Sequence, residues 1–182
     1  MTRKVQDPFA ALESGVSRAV EDADGGAKAV VDSVADVLAA ALRESAEAFL
    51  LDKVPAMAGS AVHGAAKAGG DLGSVARGFL LGVLRESGLT GEPALDAVAR
   101  AGGAFIERVR DVGGDAAGAA RGLVEGAMVW AGELGQDMPL AAAAAGQAAV
   151  DAAYDIDAKT GAKVRDALRG GIAGVTIVFK GR

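Results

Sequence analysis

At 182 residues the chain is long enough for one domain with a real core, and a formal net charge of −5 argues against a general nucleic-acid binder. Apolar residues make up 51% of it but aromatics only 4%, so a core built mostly from Ala, Val and Leu must rely on close backbone approach. There is no cysteine and one histidine, which excludes disulfides and thiolate chemistry and leaves little material for a His-rich metal site or a Ser-His-Asp triad.

Near the start, Arg3 and Lys4 are followed by Asp7, Pro8 and Glu13 rather than by an apolar run, so no secretory signal is expected. No uncharged apolar window reaches the length of a membrane span, which makes a cytoplasmic protein, at most peripheral to a membrane or granule, the expectation. Prolines then punctuate the chain. Asp7-Pro8, Asp52-Lys53-Val54-Pro55, Thr90-Gly91-Glu92-Pro93 and Asp137-Met138-Pro139 each place a capping residue just before a proline that a first helical turn tolerates. These signals divide a single all-α domain, 1–182, into helices over about 8–50, 56–87, 93–134 and 139–169 with a tail at 170–182. Four long amphipathic rods bury their stripes most simply as an elongated antiparallel bundle.

The first of these helices is acidic. From Val5 to Asp52 there are ten acidic and three basic residues; from Asp157 to Arg182 there are two acidic and six basic. This asymmetry predicts that first and last helices lie side by side, in one bundle or between subunits. The sharper alternative is a basic tail for an anionic membrane or nucleic acid.

The middle helices carry the repeat. Gly25, Gly69, Gly91, Gly102, Gly113, Gly135 and Gly146 share one phase of an eleven-residue period, and Gly15, Gly26, Gly59, Gly70, Gly103 and Gly114 share the next. Eleven residues make almost three helical turns, so one face stays in register. A 44-residue period overlies it: Gly69-Gly70-Asp71 leading to Arg77-Gly78 and Gly82 returns as Gly113-Gly114-Asp115 leading to Arg121-Gly122 and Gly126. Read as turns, Asp24-Gly25-Gly26 and Val112-Gly113-Gly114-Asp115 would give about eight short helices stacked as hairpins. The apolar phase runs through the glycine pairs unbroken, which favours the long helices despite the helix-interior cost of glycine, on the order of 1 kcal/mol each.

Gly114, Gly118, Gly122 and Gly126 form a ladder at four-residue spacing with Trp130 as its next position, and Gly70, Ser74, Gly78 and Gly82 form its counterpart. Small residues at this spacing leave a groove for a second helix backbone. These columns lie opposite the apolar stripe, so the ladder (Gly70, Gly78, Gly82, Gly114, Gly118, Gly122, Gly126 and Trp130) is the candidate helix-packing or oligomer interface. A solvated back is the bland alternative. Beyond the last helix, Gly170-Gly171 is a stop, and Ile172–Phe179 is β-prone, a segment to pair with another copy as a strand or to pack along the helices.

No catalytic, cofactor or metal residue is expected. His63 has no partner at fixed spacing and reads as a solvated or capping side chain. The glycine-rich runs supply no Gly-Lys-Ser/Thr to close a phosphate loop. Arg85 with Glu86, and Arg121 with Glu125 one turn on, read as local surface pairs.

The eleven-residue register resembles late-embryogenesis-abundant-like and other hendecad-repeat helical proteins over nearly the whole chain, and the Ala-rich amphipathic helices resemble phasins, which coat storage-polymer granules. Neither resemblance carries a functional residue over to this chain. The leading expectation is a self-associating helical scaffold or coat, a homo-oligomer. The alternatives are reversible binding to a membrane or lipid-granule surface, and a small-ligand carrier or enzyme with a cavity inside the bundle.

Overall fold

A computed structural model of the chain describes residues 8–23, 26–44 and 51–179. Each expected long helix is two. In place of 8–50 stand α1 (Pro8–Glu21) and α2 (Ala27–Glu44), and in place of 56–87 stand α3 (Val54–Lys67) and α4 (Leu72–Ser87). The span 93–134 is α5 (Gly91–Asp111) and α6 (Ala116–Glu133), and 139–169 is α7 (Met138–Ile156) and α8 (Ala158–Arg169). The architecture is all-α, with eight packed helices among the described residues, and it is not a simple four-helix bundle.

Glycine pairs split 56–87 and 93–134, whereas 139–169 divides without glycine at Asp157, which caps α8 by accepting from Thr160 N at 2.8 Å. Gly69, Gly91, Gly113 and Gly135, spaced 22 residues apart, have φ between +62° and +65°, a left-handed conformation that a side chain disfavours. At Gly69-Gly70-Asp71 the amide of Gly70 reaches back to the Ala65 carbonyl at 2.9 Å, closing α3 in the manner of a Schellman motif. Asp71 then opens α4 by accepting from the Ser74 amide at 2.8 Å and the Ser74 hydroxyl at 2.7 Å. Gly113-Gly114-Asp115 repeats the device: Gly114 donates to Val109 O at 3.0 Å, and Asp115 accepts from Ala117 N at 3.2 Å. Gly-Gly-Asp is therefore a stop followed by a start. From Gly69 to Gly135 left-handed turn glycines recur every 22 residues, two such steps span the 44-residue period, and the eleven-residue clock is half of one step. The prolines do mark helix starts at Pro55 and Pro139, and Asp137 caps α7 through Leu140 N at 2.9 Å. Asp7 lies outside the described residues.

Helices pack chiefly against the helix two further along, giving an odd layer (α1, α3, α5, α7) and an even layer (α2, α4, α6, α8). Neighbours within a layer are parallel: the positions of Gly78 and Gly82 meet Val31 and Ala35, and those of Gly122 and Gly126 meet Gly73 and Arg77, both partners advancing together. This is the stacking of helix pairs found in α-solenoids. The core lies between the layers, where the rings of Phe79 (α4) and Phe105 (α5) meet at 5.2 Å, flanked by fully buried Leu80, Leu84, Ile106, Leu123 and Trp130.

The acidic α1–α2 pair and the basic α8 do not lie side by side within the chain; they terminate opposite ends of the stack, with two hairpins between them. Residues 172–179 fold back on the stack. Ile172 and Val175 exchange two backbone hydrogen bonds of 2.9 Å around Ala173 and Gly174, and Ile172 and Ile177 are buried, the latter against Gly146 of α7. No described helix is long and apolar enough to cross a membrane.

Candidate interaction surface

The glycine ladders lie in the seams of the even layer. A β-carbon at Gly78 would stand 2.6 Å from the Val31 carbonyl oxygen and 2.9 Å from Val34 Cβ; at Gly82 it would stand 2.8 Å from Ala35 O. Both approaches are closer than a β-carbon tolerates, so α4 seats on α2 through glycine. The next seam repeats this. A β-carbon at Gly122 would overlap the Gly73 carbonyl, one at Gly126 would stand 2.9 Å from Arg77 O, and the carbonyl of Gly118 lies 3.1 Å from a β-carbon built at Gly73. Gly70 meets Val20 of α1, and Gly114 meets the Leu72 side chain. Trp130 leaves the row: it is 1% exposed and belongs to the core, and its indole Nε1 finds no acceptor among the described residues. The occupants of the ladder are thus helices of the same chain.

Two tight positions fall outside the glycine ladder. Gly73 is the partner of Gly122, yet it stands one place out of the Gly70, Ser74, Gly78, Gly82 row. Gly64 of α3 lies against the Glu13 carbonyl of α1, in a row of small residues at four-residue spacing with Ala56, Ser60 and Ala68.

Charged side chains stitch the same seams. Glu125 pairs with Arg77 of α4 at 3.3 Å rather than locally with Arg121, and Arg85 forks onto Glu133 of α6 through its Nε at 3.0 Å. Glu86 pairs with Arg43 of α2 at 3.7 Å, and Lys163 of α8 pairs with Asp115 at 3.1 Å. Lys67 of α3 pairs with Glu13 of α1. All are exposed or half-exposed, so each contributes little alone. His63 is exposed, its Nδ1 2.9 Å from the Gly59 carbonyl one turn earlier. Among the described residues no group of three or more His, Asp or Glu could hold a metal ion.

The exposed apolar surface gathers elsewhere. Beside α5 and α7, a cleft of about 400 Å³ is lined by Glu92, Leu95, Trp130, Gln136, Asp137 and Leu140, and a second of about 360 Å³, which shares Leu140, by Ala99, Ala144, Gln147, Ala148, Asp151 and Val178. Leu134, Met138 and Leu140 stand exposed around the α6–α7 turn, and Val178 is 78% exposed on the rim. Alanines form the floor of the second cleft because α7 is alanine-rich from Ala141 to Ala149. No protein-family model and no curated protein matches this chain.

Proposed function

We propose that the protein is a non-enzymatic scaffold or coat that associates with further copies of itself. The observation that carries this reading is the repetition of one docking step: α4 seats on α2, and α6 on α4, through the same glycine face in the same parallel sense. A chain built by repeating one docking step has two unlike ends and no internal symmetry that halts the series. The scaffold contributes an extended, rigid surface rather than a reaction centre. Sedimentation velocity across a concentration series tests it: the apparent mass rises with concentration, and a strict monomer at millimolar protein would overturn it.

A second reading has its own support. The exposed Leu134, Met138, Leu140 and Val178 form the kind of apolar strip that settles on a lipid or granule surface, as phasins do. Flotation with neutral and anionic vesicles separates the two, since a scaffold without lipid affinity stays at the bottom of the gradient.

A further inference from the structure

Gly102 of α5 and Gly146 of α7 stand 44 residues apart, at equivalent places on successive odd helices. A β-carbon at Gly102 would meet Ala145 O at 3.7 Å and Ala148 Cβ at 3.9 Å, both on the next odd helix, and Leu123 Cδ1 of α6 at 3.9 Å. A β-carbon at Gly146 would meet Ile177 Cγ2 at 3.2 Å and Cδ1 at 3.5 Å, and Leu168 Cδ1 of α8 at 3.6 Å. A leucine of an even helix lines both places. Where α5 receives α7, α7 receives Ile177, and no odd helix follows α7 among the described residues.

Residues 172–179 thus lie on the last hairpin as a strap, and their hold is slight. Ile172 and Ile177 are buried, Val175 and Phe179 are half-buried, and Ala173, Gly174, Thr176 and Val178 are exposed. The Phe179 ring lies 5.8 Å from the Arg165 guanidinium of α8. The strap's backbone hydrogen bonds run between Ile172 and Val175, within itself rather than to a helix. Ala173, with φ +48°, sits in the left-handed region that a side chain disfavours. Ordering this segment opposes the burial of its two isoleucines, so the strap opens far more readily than a helix leaves the stack.

We infer that the strap is a displaceable cap: it takes the place of a next odd helix on α7 and, while seated, keeps a second copy of the chain from docking there. The inference rests on the self-association reading above and adds its control. The face under the strap continues the α5–α7 interface, so what fits it is a helix of a second copy docking in the same parallel sense, and stacks of helix pairs need their end faces covered. Because docking requires the strap to lift, the apparent affinity between copies falls with the fraction of chains that are open.

The test puts a charge under the strap. Full-length Ile177→Asp, altered outside every helix, cannot seat its carboxylate against Gly146 and Leu168. Sedimentation velocity is expected to show it associating at least about tenfold more tightly than wild type, as for a strap open about a tenth of the time. A peptide of residues 171–179 in excess is expected to refill the face and return the variant to its wild-type mass, while the same peptide carrying Ile177→Asp leaves it associated. Unfolded protein would not distinguish the two peptides. If the variant associates no more tightly than wild type, or both peptides act alike, the cap is wrong while self-association of wild type stands. If wild type and variant both stay monomeric at millimolar protein, both readings fall.

Discussion

The α4–α6 seam and the α5–α7 seam join parallel neighbours in the same stack, and both contain glycines of the repeat, yet they use them differently. Between α4 and α6, Gly122 presses on the backbone of Gly73 with no space for one more carbon. Between α5 and α7, Gly102 is buried too, but a β-carbon there would meet Ala145 O at 3.7 Å and Ala148 Cβ at 3.9 Å, ordinary van der Waals distances. One glycine permits an interhelical distance; the other merely occupies a place in a helix. The tight seam sits mid-stack, and the loose one opens outward into the alanine-floored cleft beside Leu140. Burial alone does not distinguish the two roles. What a side chain would hit does.

The largest expected effect follows from the tight seam. Gly122→Ala forces a β-carbon into a backbone carbonyl that cannot rotate away, so the seam must part; overpacking of this kind costs about 1–3 kcal/mol, and a backbone obstacle places it at the upper end. Urea unfolding should show a midpoint well below wild type. An unchanged midpoint would mean that α4 and α6 stand far enough apart to admit a methyl group, and that the seam is not set by glycine.

The caps come next. Asp71→Ala removes the acceptor that opens α4 and is expected to lower stability by about 1 kcal/mol at neutral pH. Burial pushes the Asp71 carboxyl up, but hydrogen bonds from the Ser74 hydroxyl and amide and from the Gly73 amide outweigh it and hold the group below its ordinary 3.8. A depressed folded value means that the carboxylate's contribution is complete above the unfolded value and fades as pH falls through the folded one. The penalty of Asp71→Ala should therefore shrink in acid, and thermal melts of both proteins from neutral pH down through the carboxylate range read it directly. A penalty constant over that range would show that charge has no part in the cap.

How much of this was legible in the sequence depends on which property is asked of each residue. The apolar faces, the all-α class and the 44-residue period follow from local pattern. The four-residue ladder also identified a close-contact face, since Gly78, Gly82, Gly122 and Gly126 share one side of their helices. What misled was arithmetic. The 22-residue step between turn glycines is two hendecads, so turn glycines such as Gly113 fall in the same column as helix-interior Gly102, and phase cannot tell them apart. Gly-Gly-Asp distinguishes them physically, because a left-handed residue followed by a helix-capping carboxylate ends one helix and begins another. The ladder's partners were not legible at all: Gly73 matters only because Gly122 lies on it, a fact created by stacking. The same holds for Trp130, whose spacing put it in the ladder and whose packing put it in the core.

Gly102→Ala sharpens the comparison with the opposite sign. With space for the methyl group and a helical backbone, replacement is expected to stabilise by about 0.5–1 kcal/mol through the lower chain entropy of alanine. Differential scanning calorimetry should show a melting temperature raised by a few degrees. A fall would place α5 and α7 as close together as α4 and α6.

The smallest effect concerns the charged stitches. Arg85 and Glu133 span the tight seam, with side chains 41% and 42% exposed. If ion pairs fixed the spacing of α4 and α6, removing this one would rival the loss of Gly122. Water screens a pair this exposed, and holding two long side chains in one geometry costs entropy, so a coupling of only about 0.2–1 kcal/mol is expected. A double-mutant cycle over Arg85→Ala, Glu133→Ala and the pair isolates it. Coupling at that level, fading further in high salt, assigns the spacing of the seam to its glycines, with the charges choosing register among arrangements that the glycines already allow. Coupling above about 2 kcal/mol would exceed the worth of an exposed pair and give the stitches the larger share of the seam.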